Sequence, residues 1–256
     1  MKHFVTGSCI ALLGLALTAC FGGSNGNGNG DSIGNGDATA EQRAPGIEGP
    51  QAPSIEGPVD ISGFTRPQPG ASLRFELQGE LSRGARSLPV NATLTYVTRQ
   101  PEPFQGQTAI PTELSVTWRV PSEGSEFTTG GTAYLTPDGQ RIASVRHDGV
   151  TCLRSEGSGL RTQTQIADGD SSPGFREHCT DGSSRLQRWS VSSGEGTLDI
   201  AVTIQTTQAG TRTSEVETYR FDENGTPQSL KVEGTIWQLG IQTHVLLEGP
   251  AVSVNL

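Results

Sequence analysis

Past residue 62 the apolar residues of this chain recur at every second position, and that period constrains its fold more than any other feature. Leu73, Phe75 and Leu77 alternate with Arg74, Glu76 and Gln78, and Ala92, Leu94 and Tyr96 alternate with Asn91, Thr93 and Thr95. Leu114, Val116, Trp118 and Val120 are separated by Ser115, Thr117 and Arg119; Leu198, Ile200, Val202 and Ile204 are separated by Asp199, Ala201 and Thr203. Successive side chains of a strand point to opposite faces, so each run reads as a strand with one buried and one wet face. Turn chemistry falls between such runs. Pro137-Asp138-Gly139 separates Leu135 from Ile142, and Asp222-Glu223-Asn224-Gly225 separates Phe221 from Ser229; both are hairpin signals. No long stretch beyond the N-terminal leader has helical periodicity. The expected fold is all-β: a single antiparallel, sheet-rich domain over 63–256 of about ten to twelve strands, built as a sandwich, a barrel or a curved half-barrel.

The N-terminus follows a different logic. After Met1-Lys2-His3 the chain runs from Phe4 to Ala19 without a charge and ends on Leu17-Thr18-Ala19-Cys20. A positive start, an apolar middle and small residues before a cut form an export-signal pattern. As a helix this run would span roughly 24 Å, short of the ~30 Å bilayer core. The LTAC stretch resembles the lipobox of bacterial lipoproteins. That resemblance covers the first twenty residues and implies a signal peptide at 1–19, cleavage after Ala19 and acylation of Cys20. It also implies that the lipid bilayer is a partner through acylated Cys20. With Phe21 rather than Asp after the cysteine, it favours the outer membrane in a Gram-negative envelope.

Residues 20–62 lack the apolar surface needed to offset the entropy of ordering a chain. Gly, Asn, Ser and Asp dominate 22–37, and Ile47-Glu48-Gly49-Pro50 recurs as Ile55-Glu56-Gly57-Pro58. The expectation is a disordered tether, first flexible and then stiffened by proline, whose coil of about forty residues reaches roughly 35 Å. The formal charge of −9 argues against nucleic acid and against docking on anionic lipid. Lys2 and Lys231 are the only lysines, so arginine supplies nearly all positive charge.

Besides Cys20, the exported part holds Cys152 and Cys179, and an even pair in an exported chain reads as a disulfide. It would tie the base of a polar loop over 157–174. The competing reading is a zinc set of His147, Cys152, His178 and Cys179. It lacks the usual CxxC or HxxxH spacings, and adjacent strand residues such as His178 and Cys179 face opposite ways.

Catalytic motifs fail on inspection. Gly169-Asp170-Ser171-Ser172-Pro173-Gly174 resembles the GDSGG loop of chymotrypsin-like proteases, but Ser172 and Pro173 replace the two glycines. The proline removes a backbone N–H near the would-be oxyanion site. Asp168-Gly169-Asp170 suggests calcium, yet Pro173 and Cys179 occupy the places where an EF-hand loop needs Gly and Glu. His244 lies in a strand-like run and reads as a surface histidine. Asn91 and Asn224 head glycosylation sequons that a bacterial lipoprotein gives no reason to use. Trp118, Trp189 and Trp237 read as core or sheet-face residues. No cofactor motif is found.

The expected function is therefore a membrane-anchored envelope lipoprotein with a non-catalytic binding or structural β domain. One form is an apolar-ligand carrier: the strand from Glu217 to Phe221, its turn, and Gln228 to Glu233 are similar in arrangement to carriers of the lipoprotein-localisation type. A second form is an interaction module for an envelope protein, through exposed strand edges. A third, a hydrolase on a β scaffold, requires His147, His178 or His244 to meet a serine and a carboxylate in one pocket.

Overall fold

The computed structural model describes residue 55 and residues 57–208, 211–238 and 241–256. Cys20, the leader and most of the expected tether lie outside the described residues. The strands are β1 (Val59–Asp60), β2 (Ser72–Arg83), β3 (Arg86–Thr98), β4 (Glu102–Phe104), β5 (Gln107–Val120), β6 (Ser125–Leu135), β7 (Arg141–Arg146) and β8 (Thr151–Gly157). They continue as β9 (Gln165–Ile166), β10 (Phe175–Cys179), β11 (Ser184–Gly194), β12 (Thr197–Gln208), β13 (Thr211–Phe221), β14 (Pro227–Gln238) and β15 (Ile241–Asn255). A short helix α1 (Ser62–Thr65) and a 3-10 turn at Leu160–Thr162 complete the elements.

Every strand pairing is antiparallel, and the ladder runs β2, β15, β14, β13, β12, β11, β10, β8, β7, β6, β5. It then closes, because β5 pairs with β3 and β3 with β2. The result is a twelve-strand barrel; of the three architectures open to the sequence, closure selects the barrel. Strand β4 only extends the edge of β5, and β1 with β9 forms a separate ribbon. Closure removes the unpaired edges that an open sheet presents.

The alternating runs put their apolar residues inside. Phe75, Leu77, Leu94, Trp118, Leu198, Ile200, Phe221, Leu230 and Leu247 are fully buried. Trp118 stacks on Phe127 and donates from its indole N–H to Thr129 Oγ1 at 3.2 Å. Trp189 is buried as well, and the Trp237 side chain lies outside the described residues. The outer face is charged: Arg220 and Asp199 form a two-point pair at 2.9 Å, Arg99 meets Glu113 at 2.6 Å, and Arg119 meets Glu126 at 2.6 Å. This is the reverse of a membrane-spanning barrel, whose apolar band faces outward.

Folding begins before residue 63. Val59, Ile61 and Phe64 are buried in the core, so the end of the expected tether and the first residues of the expected domain form a plug across one mouth of the barrel. Ile61 N–H donates to Thr164 O at 2.9 Å, and Arg161 donates to Phe64 O. Two hairpin turns press against this plug and require glycine. A Cβ on Gly139 (φ +84°) would lie 2.0 Å from Arg161 O, and one on Gly225 (φ +75°) 1.9 Å from Asp60 O.

Cys152 and Cys179 stand opposite each other on β8 and β10 and are joined by a disulfide. Both thiols are thereby consumed, which closes the zinc alternative. Strands β7, β8 and β10 have only 6, 7 and 5 residues, so the bond fastens the part of the wall with the fewest ladder hydrogen bonds.

Candidate functional site

The barrel interior is divided by chemistry. Strands β2, β3, β14 and β15 contribute mainly aliphatic and aromatic residues, whereas β7, β8, β10, β11 and β13 send charged groups inward. Register places Arg154 on β8 opposite Glu177 on β10, and Glu177 opposite Arg185 on β11. Glu177 and Arg185 are buried and paired at 3.3 Å. Arg141 reaches the same carboxylate at 3.5 Å, and Ser144 Oγ at 3.4 Å. A register shift between Tyr134 and Leu135 on β6 explains how Arg141 and Ser144, three apart on β7, share one face. Bulges of this kind re-aim a side chain. Burial pushes the Arg185 guanidinium below its ordinary pKa, opposed by the charge of Glu177.

Strand β13 supplies a second set. Glu215, Glu217 and Tyr219 are buried on its inward face. Tyr219 donates to Glu217 Oε2 at 2.6 Å and meets the Tyr96 hydroxyl, on β3 across the lumen, also at 2.6 Å. With the Tyr219 proton directed at Glu217, Tyr96 is the donor to Tyr219. Burial, then the neighbouring Glu217 charge, pushes Glu215 well above the usual carboxylate range. Burial also raises Glu217, against the pull of the Tyr219 hydrogen bond. Both shifts favour the neutral form of these carboxyl groups over the ionised form that exposed glutamates would hold.

Between these sets and the plug lies a cavity of about 90 Å³. Arg141, Arg154, Arg161, Arg185, Gln187, Glu217, Tyr96 and Tyr219 give it polar walls, and Phe64, Leu114, Leu135, Leu160, Phe175, Val202 and Ile204 apolar ones. Arg161 projects from the 3-10 turn, its guanidinium 4.8 Å from the Phe64 ring centroid and 5.6 Å from that of Tyr96. Burial pushes its pKa below the ordinary arginine value. Arg141 lies 5.2 Å from the Phe175 centroid.

The histidines weighed for hydrolysis do not come together. His147, His178 and His244 are all exposed, and His244 bonds to Thr235 (3.0 Å) and Gln242 (2.6 Å) on the outer face. Asp168 and Asp170 cap backbone N–H groups of Ser193 and Ala167, each at 2.8 Å, and Ser172 Oγ accepts from Gly174 N–H at 2.9 Å. These groups organise a loop. Among the described residues no group of three or more His, Cys, Asp or Glu is arranged to hold a metal.

The cavity residues escaped the sequence reading, which followed apolar alternation. A signal existed: Glu215 and Glu217 fall in phase with Thr213, Tyr219 and Phe221, and Glu177 falls in phase with Phe175 and Cys179. Charges on the buried parity of a strand mark a polar interior. The scarcity of lysine fits the same picture, since guanidinium tolerates buried pairing better than ammonium. Fold and site together define a closed antiparallel barrel with an amphipathic cavity behind an N-terminal plug. Comparison with protein-family models, curated proteins and solved structures found no match.

Proposed function

We propose that this chain is a membrane-anchored envelope lipoprotein, acylated at Cys20, whose barrel is a non-catalytic binding domain for a small ligand. The observation that carries the reading is the cavity at the plugged mouth: a preformed hollow with apolar walls and a few converging polar groups is the usual form of a ligand site. The Leu17–Cys20 motif and the Gly/Asn-rich segment after it support the anchor. The amphipathic lining narrows the earlier expectation of an apolar ligand to a small molecule with a polar end. The exposed positions of His147, His178 and His244 give a hydrolase no support.

Two measurements test the proposal. A Cys20→Ser chain is expected to lose incorporation of labelled fatty acid and to leave the membrane fraction; unchanged processing and sedimentation would refute the anchor. Native mass spectrometry of the gently extracted mature protein is expected to show a small bound species, released on unfolding. A ligand-free barrel that takes up nothing from a cell extract would refute the binding role.

A further inference from the structure

The cavity is unbalanced in charge. Arg141, Arg154, Arg161 and Arg185 reach it, against Glu217 as the one carboxylate among its lining residues. Glu177, paired with both Arg141 and Arg185, offsets one positive charge from the wall. Glu217, the single carboxylate in the lining, offsets at most one more. Two guanidinium groups are left over, and the structure shows which they are. Arg154 donates to Gly157 O at 2.8 Å and faces the neutral amide of Gln140. Arg161 bonds to Phe64 O and lies over two aromatic rings. Neither has a carboxylate partner among the described residues. Arg161 and Arg154 are half-buried, Arg154 at the exposed side of the hollow; a cation partly withdrawn from water without a carboxylate partner favours an anion brought to it.

Size and lining decide what kind of anion. A hollow of about 90 Å³ is several times the roughly 10–15 Å³ that one water needs, and it is partly open to solvent. It is too small to enclose a long acyl chain. Inorganic phosphate would leave the apolar wall of Phe64, Leu135, Leu160 and Phe175 without a partner. Resting on the binding role above, we propose that the cavity holds a small organic carboxylate, its anionic end received by Arg154 and Arg161 and its apolar body by that wall. Glu217 sets the limit on charge, since it repels any second carboxylate brought to the Tyr219 side.

The test is calorimetric titration of the detergent-extracted mature chain with benzoate and hexanoate, each against its neutral amide, and with inorganic phosphate. Saturable binding of at least one acid is expected, with its amide weaker by about tenfold or more, as for a charge-assisted contact. Arg161→Gln and Arg154→Gln should each weaken the acid about tenfold, and Arg161→Lys should recover part of the loss. Glu217→Gln should tighten it, a gain that damage to the fold would not produce. Because Arg161 also holds the plug, the Arg154 and Glu217 variants carry the test if Arg161→Gln unfolds. Equal binding of acid and amide, tighter binding of phosphate than of either acid, or no saturable heat from any acid overturns the inference. A bound species of another class in native mass spectrometry would then leave the binding role standing.

Discussion

Removing the disulfide by Cys152→Ala with Cys179→Ala tests whether the short-stranded wall depends on its cross-link. The two cysteines are 27 residues apart, and closing a loop of that length restricts the unfolded chain by about 3.5 kcal/mol at 25 °C. In a domain of this size each kcal/mol shifts Tm by about 2–4 °C, so the loss corresponds to roughly 7–14 °C. The magnitude follows from loop length, but the place matters to the site. The bond joins β8 and β10 two residues from the facing pair Arg154 and Glu177, so its loss should also loosen the cavity wall. Urea unfolding followed by the fluorescence of the buried Trp118 and Trp189 measures the effect. The midpoint should fall and the m value should rise, because the freed chain exposes more surface when unfolded. Reducing the parent protein should reproduce the shift. A loss below about 1 kcal/mol with unchanged m would refute the reasoning, since it would mean that the bond does not restrict the unfolded state.

Glu215→Gln should change the pH dependence of stability. Glu215 titrates well above the ordinary glutamate value of 4.5 in the folded chain, so its contribution is complete below that value and is lost as pH rises through the raised one. The variant should be the more stable protein at the alkaline end of a Tm series from about pH 5 to 9, with a flatter profile; parallel profiles would refute the raised titration of Glu215. Gly139→Ala should cost about 1–3 kcal/mol, because the added Cβ meets Arg161 O at 2.0 Å and Thr65 O at 3.3 Å. Hydrogen exchange should rise in the plug at 59–65 and in 159–165. Gly84→Ala, at φ +59° with open space around it, should pay only the backbone strain, and an equal response from both would show that plug contact is not the cause.

Much of the barrel wall was legible in the sequence because alternation is a local property. Leu73-Arg74-Phe75-Glu76-Leu77 can sit half buried only as a strand, and Pro137-Asp138-Gly139 or Asp222–Gly225 can join such strands only by reversing the chain. The Cys152–Cys179 bond was readable too, from parity of number and the export signal. Its placement in the ladder was not. Between sandwich, half-barrel and barrel the sequence was silent, since each presents the same one-sided pattern along every strand.

Pairing of β3 with β5, across a short excursion, decides that the sheet closes, and closure turns one face of every strand toward a shared interior. Only then do polar groups distant in the chain become neighbours: Glu177 with Arg141 and Arg185, and Tyr96 with Tyr219, 123 residues apart. The plug at 59–65 is likewise a tertiary decision. Its first part, 59–62, reads as linker, and burial of Val59, Ile61 and Phe64 at the barrel mouth gives it a structure that its own residues do not specify. Strand identity is set by side-chain periodicity within about ten residues, whereas the cavity and its excess positive charge arise from which strands meet, a choice made by the free energy of the whole closed sheet.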